Sequence, residues 1–485
     1  MSKFSSLLEK FISRSGEPLA RIAKNAGVER TSIHKALKDE RILPYSSLNK
    51  LIQYFQLTLP EARELSLCYD MILLGEETYK IHSEIRGLMS DLSNLTFFTD
   101  DYQIKVDSKD IVPTTKIIYG EAEIHRILLA LLYAESASHN VEIRVHCGCG
   151  TLISNSFIQL WRNGKNFSVH QIVPFRPDGH NANALLWNIQ NTRKLLPTAL
   201  LSNNQYNAYY YYTNCEEQNF FSPFPYYIVT PKYLILINGE YSVAYVSTDT
   251  ELVRHYQKHF DQWKKECLPL TSYSSEPFDV LSSYMENSEQ RGYYTIMTQP
   301  CIGRHYTKEL INKYIRPELP YRQQLIEMSI QRFGVLRQIN DAYYTVFNEN
   351  GLLQLVNDAF IADLPKAQVL PLSTEDRLNL LVSLREDIAE DIIHGLVAKP
   401  DQLSIPQYLT FTCDPNHGIH IYAIDGFVKG SYSCNLHLSV GAVGTAFCDF
   451  IRFLPNSDYV YAKEETLSII DSYIDMLKRK FAKEE

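Results

Sequence analysis

The sequence predicts a multidomain chain: an all-α, five-helix N-terminal domain followed by a large α/β body of mixed sheet, open to internal duplication. Three observations lead there. The first 75 residues repeat short apolar stripes at helical spacing, punctuated by Gly and Pro. From residue 116 onward, strand-like runs interleave with helical ones. A chain of 485 residues is also too long for one hydrophobic core, and roughly two to four domains are expected at that length.

The N-terminal elements follow in order. Leu7, Leu8, Phe11 and Ile12 mark a first helix, Leu19, Ile22 and Ala23 a second, and Ile33, Ala36 and Leu37 a third. Ala26-Gly27-Val28 lies between the second and third. Glycine adopts φ > 0 at no steric cost, as a sharp helix-to-helix turn requires. Small Ala23 lets the two helices cross closely, and Val28 plugs the angle between them. The third helix is left with a polar, net basic outer face carrying Glu29, Arg30, Thr31, Ser32, His34, Lys35 and Lys38. Such a face suits the DNA major groove.

From Leu7 to about Leu73 this arrangement resembles the helix-turn-helix of the lambda-repressor/Cro (Xre-like) family. The residues that carry the resemblance are Leu19-Ala20-x-x-Ala23-x-x-x-Gly27-Val28, Thr31-Ser32-Ile33, Arg41-x-x-Pro44 and Ser46-Ser47-Leu48-x-x-Leu51-Ile52-x-x-Phe55, with residues 60–73 as a fifth helix. It implies a lambda-repressor-like fold that binds double-stranded DNA through Arg30, Thr31, Ser32, His34, Lys35, Lys38 and Arg41. Arg30, Thr31 and Lys35 would reach base edges, while Lys38 and Arg41 would hold phosphates. Glu17-Pro18 stand where the family usually carries Gln or Ser, so one phosphate contact is not carried over.

Charge is distributed accordingly. The whole chain carries −9, yet residues 1–65 hold eleven Lys/Arg against seven Asp/Glu, a net of +4 that leaves −13 for the rest. A basic head on an acidic body fits DNA contact by the head alone. No apolar run approaches the ~20 residues of a membrane helix, and MSKFSSLLEKFISRSGE lacks the apolar stretch of a signal peptide. Nine scattered cysteines, an odd number, are expected to be reduced thiols in a cytoplasmic protein.

Gly75-Glu76-Glu77 ends the head, residues 1–75, and residues 76–115 read as helical connector and linker. Residues 78–95 predict a helix whose Ile81, Ile85, Leu88 and Leu92 share one side, as core against the body or as a dimer seam. Residues 116–270 form a first, sensor-like α/β region. There 141–146 alternates like a strand, 153–161 is helical, Asn163-Gly164-Lys165 turns, and 167–173 is a second strand. That order is a βαβ unit with parallel pairing. Strands follow at 226–229, 233–237 and 241–246, the last two meeting at the hairpin signal Asn238-Gly239. Thr248-x-x-Glu251 reads as a capping box for the next helix.

Residues 271–340 read as a mainly helical connecting region with one strand at 293–297, and 341–485 as a second α/β region. In the latter, 343–347 and 352–356 read as a hairpin across Asn348-Glu349-Asn350-Gly351. Ser373-x-x-Asp376 caps a helix, 408–413, 418–424 and 433–438 read as strands, and 441–454 and 464–481 as helices. Tyr245-Val246 and the helix after it can be laid on Tyr459-Val460 and the last helix, pairing Glu251 with Glu465 and Asp261 with Asp475. This could mark two copies of one module, although two unrelated strand-to-helix junctions with shared capping chemistry are the plainer account.

The body also resembles, faintly, the phospholipase D-like fold that some transcriptional regulators carry as a non-catalytic sensor domain. The active family requires His-x-Lys. This chain contains none, and His305-Tyr306-Thr307-Lys308 is one residue too long. No catalytic residue is therefore expected, and the protein is read as not an enzyme. His146-Cys147-Gly148-Cys149 lacks the second ligand pair of a structural zinc site, and the His417-Gly418-Ile419-His420 histidines need not share a face. No metal and no cofactor is expected. The run Tyr206-Asn207-Ala208-Tyr209-Tyr210-Tyr211-Tyr212 is the most unusual feature of the body. Tyrosine joins an apolar ring to a polar tip, so Tyr209, Tyr210, Tyr211 and Tyr212 are candidates for a ligand wall, with an ordinary half-buried strand as the plainer reading. The sequence as a whole predicts a transcriptional regulator that binds a pseudo-palindromic operator as a homodimer, with a body that senses a small molecule or peptide or serves assembly. The alternatives are an enzyme with an unrecognised site in the body and a protein-interaction scaffold.

Overall fold

The computed structural model describes residues 2–95, 116–138, 140–148, 151–177, 181–202, 204–213, 222–274, 278, 292–339, 342–361, 366–423 and 434–484. The linker expected at 96–115 lies outside them. Five helices close the N-terminal domain: α1 (Lys3–Ser15), α2 (Leu19–Ala26), α3 (Arg30–Leu37), α4 (Tyr45–Tyr54) and α5 (Leu59–Leu74). Local chemistry sets their ends. The Ser2 side chain accepts from the Ser5 backbone N–H ahead of α1, and Thr58 and Glu61 form a reciprocal capping box ahead of α5. Leu8, Ile22, Ile33, Leu48, Leu51 and Leu65 fill the centre and are fully buried, each contributing about 1.5–3 kcal/mol of burial.

After α6 (Glu76–Asn94), the first half of the body comprises β1 (Lys116–Tyr119), α7 (Glu121–Glu135), β2 (Val141–His146), α8 (Thr151–Arg162), β3 (Phe167–Phe175), α9 (Ala182–Leu201), β4 (Tyr206–Tyr212), β5 (Tyr226–Val229), β6 (Leu234–Ile237), β7 (Val243–Ser247), α10 (Thr250–Lys264) and β8 (Leu268–Pro269). The second half comprises β9 (Thr271–Ser274), β10 (Tyr293–Ile296), α11 (Lys308–Tyr314), α12 (Arg322–Gln338), β11 (Tyr343–Phe347), α13 (Glu349–Asn357), α14 (Thr374–Ala389), β12 (His394–Val397), β13 (Leu409–Asp414), β14 (Gly418–Ala423), β15 (Cys434–Leu438), α15 (Gly441–Phe453) and α16 (Lys463–Glu484). Among the described residues, no helix is long and apolar enough to cross a membrane.

These strands build two mixed sheets with the same plan. The first runs β1-β7-β6-β5-β2-β3-β4-β8 and the second, read from the other edge, β9-β15-β14-β13-β10-β11-β12. In each, three strands pair in parallel through helical crossovers (β2, β3, β4; β10, β11, β12), and an antiparallel meander lies against the first of them. β8 pairs with the β4 edge of one sheet, and β9 with the β15 edge of the other. One apolar face of each sheet enters a shared core, which includes Ile143, Val169, Phe411 and Ile421. The opposite face of the first sheet lies under α10, with Phe260 and Val253.

The connector helix belongs to that shared core. Ile81, Ile85, Leu88 and Leu92 of α6 are buried in one cluster with Leu195 and Leu196 of α9 and Phe447 and Ile451 of α15. Arg193 of α9 crosses α6 at Gly87, where a Cβ would meet its guanidinium at 2.3 Å. It pairs with Glu84 at 2.8 Å and Asp91 at 2.6 Å on either side. The stripe is therefore core, and not a seam left open for a second copy.

Four readings are corrected. Residues 352–356 are helical within α13, because Asn348 turns its side chain onto the Gly351 backbone N–H and caps a helix where a hairpin was expected. Leu352, Leu355 and Val356 then fall on one buried helical face. The cap of α10 is Asp249, which accepts from Glu251 and Leu252, and not Thr248. The second sheet draws β9 and β10 from residues 271–296, upstream of the boundary expected at 341. Finally, the register expected for the repeat is not the structural one. The topological partner of β7 is β15, whereas Val460 makes an isolated antiparallel bridge with Ala398 beyond β12. Similar capping sequences recur at unrelated junctions, so they do not mark the equivalence.

Candidate nucleic-acid interface

The turn between α2 and α3 is closed by backbone chemistry. Gly27 ends α2 at φ +64, and the Val28 N–H donates to the Ala23 carbonyl at 3.0 Å, a Schellman closure. Ala23 and Val28 are buried at the crossing. Ile33 and Ala36 face inward from α3. Helical periodicity then turns Arg30, Thr31, His34 and Lys35 to solvent, with Lys38 and Arg41 exposed just beyond the helix and Ser32 half-buried. Lys50 of α4, a residue the sequence reading did not single out, donates to the Gly27 carbonyl at 3.4 Å. It adds a cation beside the turn.

Glu29 sits at the mouth of α3, and the Ser32 hydroxyl donates to it at 3.0 Å. Hydrogen bonds from the Thr31 and Ser32 side chains hold its carboxyl below the ordinary range, aided by the Lys35 and Arg41 charges. The two hydroxyls thus serve the first turn of the helix, and Arg30, His34 and Lys35 present the outward polar groups. Asp39, at φ +56, binds the Ser2 backbone N–H at 2.7 Å and its hydroxyl at 2.6 Å. Those bonds tie the chain start to the end of α3. Glu17 accepts from the Tyr54 hydroxyl at 2.9 Å, a structural use of the position where the family carries Gln or Ser.

No protein-family model matches the chain. No curated protein matches it either. Among solved structures it is similar to TrmBL2, an archaeal chromatin protein reported to show a novel mode of DNA binding, at 10% identity and a TM-score of 0.21 over 55% of this chain and 94% of that one. It is also similar to polyphosphate kinase from Porphyromonas gingivalis, at 11% identity and a TM-score of 0.21 over 70% of this chain and half of that one. Phosphatidylserine synthase from Haemophilus influenzae Rd KW20 matches at 9% identity and a TM-score of 0.21 over 76% of this chain and 94% of that one.

The tyrosine run does not make one wall. It is strand β4, and alternation sends its residues to opposite faces. Tyr210 is buried against Phe175, and Tyr212 lies beside it, 48% exposed. Tyr209 and Tyr211 look the other way, toward His170 and Trp263 respectively. Only that second pair shares a half-buried surface, under the Lys264 ammonium at 5.5 Å from the Tyr209 ring.

The histidines weighed for other chemistry are mostly packed. His146 lies 4.6 Å from the Trp263 ring, and burial pushes its pKa down to about 4. His305 sits beside Asp387 at 3.6 Å. His420 stacks on His437 at 4.1 Å, and burial followed by the His437 charge lowers it to about 3. No group of three metal-ligating residues is assembled among the described residues.

Proposed function

We propose that this protein is a sequence-specific DNA-binding transcriptional regulator whose five-helix head reads the major groove with α3. The observation that carries this reading is the α2–Gly27–α3 unit, which exposes Arg30, His34 and Lys35 on one side while Ile33 and Ala36 anchor the other. Arg30 would pair with guanine in a bidentate manner, and Lys38 and Arg41 would hold phosphates. A single head covers little DNA. Two copies on a pseudo-palindrome would double the contact, and the acidic body would stay off the duplex. The body would sense a small molecule or peptide, since its size exceeds what dimerisation needs.

The test is selection of bound sequences from random DNA by the full chain, followed by titration of variants against salt. Arg30→Ala should relax preference at one base pair by about 1–3 kcal/mol. Lys38→Ala should weaken binding to all sequences alike and reduce the salt slope by about one. Equal losses across every sequence for both variants would contradict this docking.

A further inference from the structure

The head meets the C-terminal half of the body through a small polar seam. Asp70, near the end of α5, is 5% exposed. The Tyr459 hydroxyl donates to its Oδ2 at 2.7 Å, whereas Oδ1 has no partner. The Arg86 guanidinium of α6 lies over the Tyr459 ring, 4.3 Å from its centroid. Tyr45, at the start of α4, packs edge-on against Tyr69 with ring centroids 5.6 Å apart, and its buried hydroxyl has no hydrogen-bond partner among the described residues. Burial raises the pKa of Asp70, opposed by the Tyr459 hydrogen bond and the Arg86 charge.

Tyr459 is itself anchored to the second sheet. The Lys399 N–H donates to the Tyr459 carbonyl at 2.9 Å, and the Tyr461 N–H to the Val397 carbonyl at 2.9 Å. Between them Val460 bridges Ala398, and Lys399 pairs with Asp458 at 2.5 Å. The end of β12 is therefore coupled through one side chain to α5. On the other side of the seam, the core of the head is drawn wholly from residues 4–72, and Gly75 joins α5 to α6 at φ +80. A closed core on a glycine joint can move as one body. A buried carboxylate with one oxygen unpaired also gains solvation whenever the seam opens.

We propose that Asp70, Tyr459 and Arg86 form a lock that holds the folded head against the second half of the body, so that displacement at the end of β12 releases the head as a unit. What the released head then does rests on the reading of α3 above; the lock itself does not. A device of this kind offers the body a route to change how the head is presented, because both sites bias one contact.

Hydrogen–deuterium exchange of the full chain, read by mass spectrometry, tests the lock. Tyr459→Phe removes only the donor, and exchange across residues 70–82 should rise on the order of tenfold, the equivalent of one lost buried hydrogen bond to a charged group. Asp70→Ala should give a similar rise, and the double variant should rise no further than the larger single effect. Amides in α1–α4 should keep wild-type protection. Unchanged exchange at the junction in Tyr459→Phe would overturn the lock, as would additive effects in the double variant. A rise spreading through α1–α4 would overturn it too, since the contact would then serve the folding of the head. No DNA enters this measurement, so failure of the wild-type chain to select a DNA sequence would count against the regulator reading and leave the lock standing.

Discussion

Two glycines illustrate what single residues contribute and how differently they do it. Gly27 needs its left-handed backbone, but a Cβ there would meet nothing within 4 Å. Gly27→Ala should therefore cost the head only the conformational term, about 1–2 kcal/mol. Gly351 has no positive φ, yet a Cβ on it would lie 1.8 Å from the Thr298 carbonyl oxygen. Gly351→Ala forces backbone apart in the body and should cost about 3 kcal/mol or more. Urea titrations that resolve the two transitions would check the contrast, and equal shifts would refute it. Glu61 supplies a pH dependence. Hydrogen bonds from Arg14 and then Thr58 hold its carboxyl down at about 2, from an ordinary 4.5. A lowered pKa in the folded state means stability that is complete above 4.5 and lost as pH falls toward 2. Glu61→Gln should flatten the acid unfolding curve of the head in that window, as followed by circular dichroism; an unaltered curve would remove Glu61 as its source.

At the scale of elements, α6 shows why a stripe alone is ambiguous. Ile81, Ile85, Leu88 and Leu92 would look the same on a dimer seam as in a core. Packing against α9 and α15 makes the stripe core, and the Arg193 pairs with Glu84 and Asp91 fix its orientation. Leu88→Ala should then destabilise the body by about 2–5 kcal/mol through transfer and cavity terms. Sedimentation should be unaffected. A variant of normal stability that altered the oligomeric state would restore the seam. The α13 segment teaches a related lesson. Asn348 to Gly351 carries turn chemistry, and Asn suits a hairpin and a helix cap alike. The side-chain bond to the Gly351 N–H chose the cap.

At the scale of the molecule, the head closes its own core and the body stacks two sheets of one plan. Residues 1–75 should therefore fold alone; on the regulator reading proposed above, they would remain monomeric and bind DNA weakly, and the full chain would be a dimer on its operator. A full chain that sediments as a monomer at micromolar concentration and still binds tightly would rule out the paired-site arrangement. A thermal-shift screen of metabolites and peptides on the full chain addresses the body. A true effector should add about 2.7 kcal/mol of stability at a hundredfold excess over Kd and change operator affinity in step. Compounds that stabilise without touching operator affinity would favour an enzymatic body.

The sequence by itself determined the head almost completely: five helices, the Gly27 turn, the buried set around Ile22 and Ile33, and the outward basic face of α3. All of these follow from contacts a few residues apart, where side-chain period and capping chemistry suffice. It also determined most strands, whose apolar runs and turns are local signals. Tertiary structure alone decided the rest. Strand order joins residues far apart in the chain, as in β7 against β1 or β15 against β9, and no local pattern records that pairing. Alternation splits the tyrosine run between two faces, but which face meets the shared core and which the α10 side was decided only when β4 paired between β3 and β8. Asp70 and Tyr459 stand 389 residues apart. In sequence each is an ordinary surface-forming residue, and only burial of the one against the other makes them a lock.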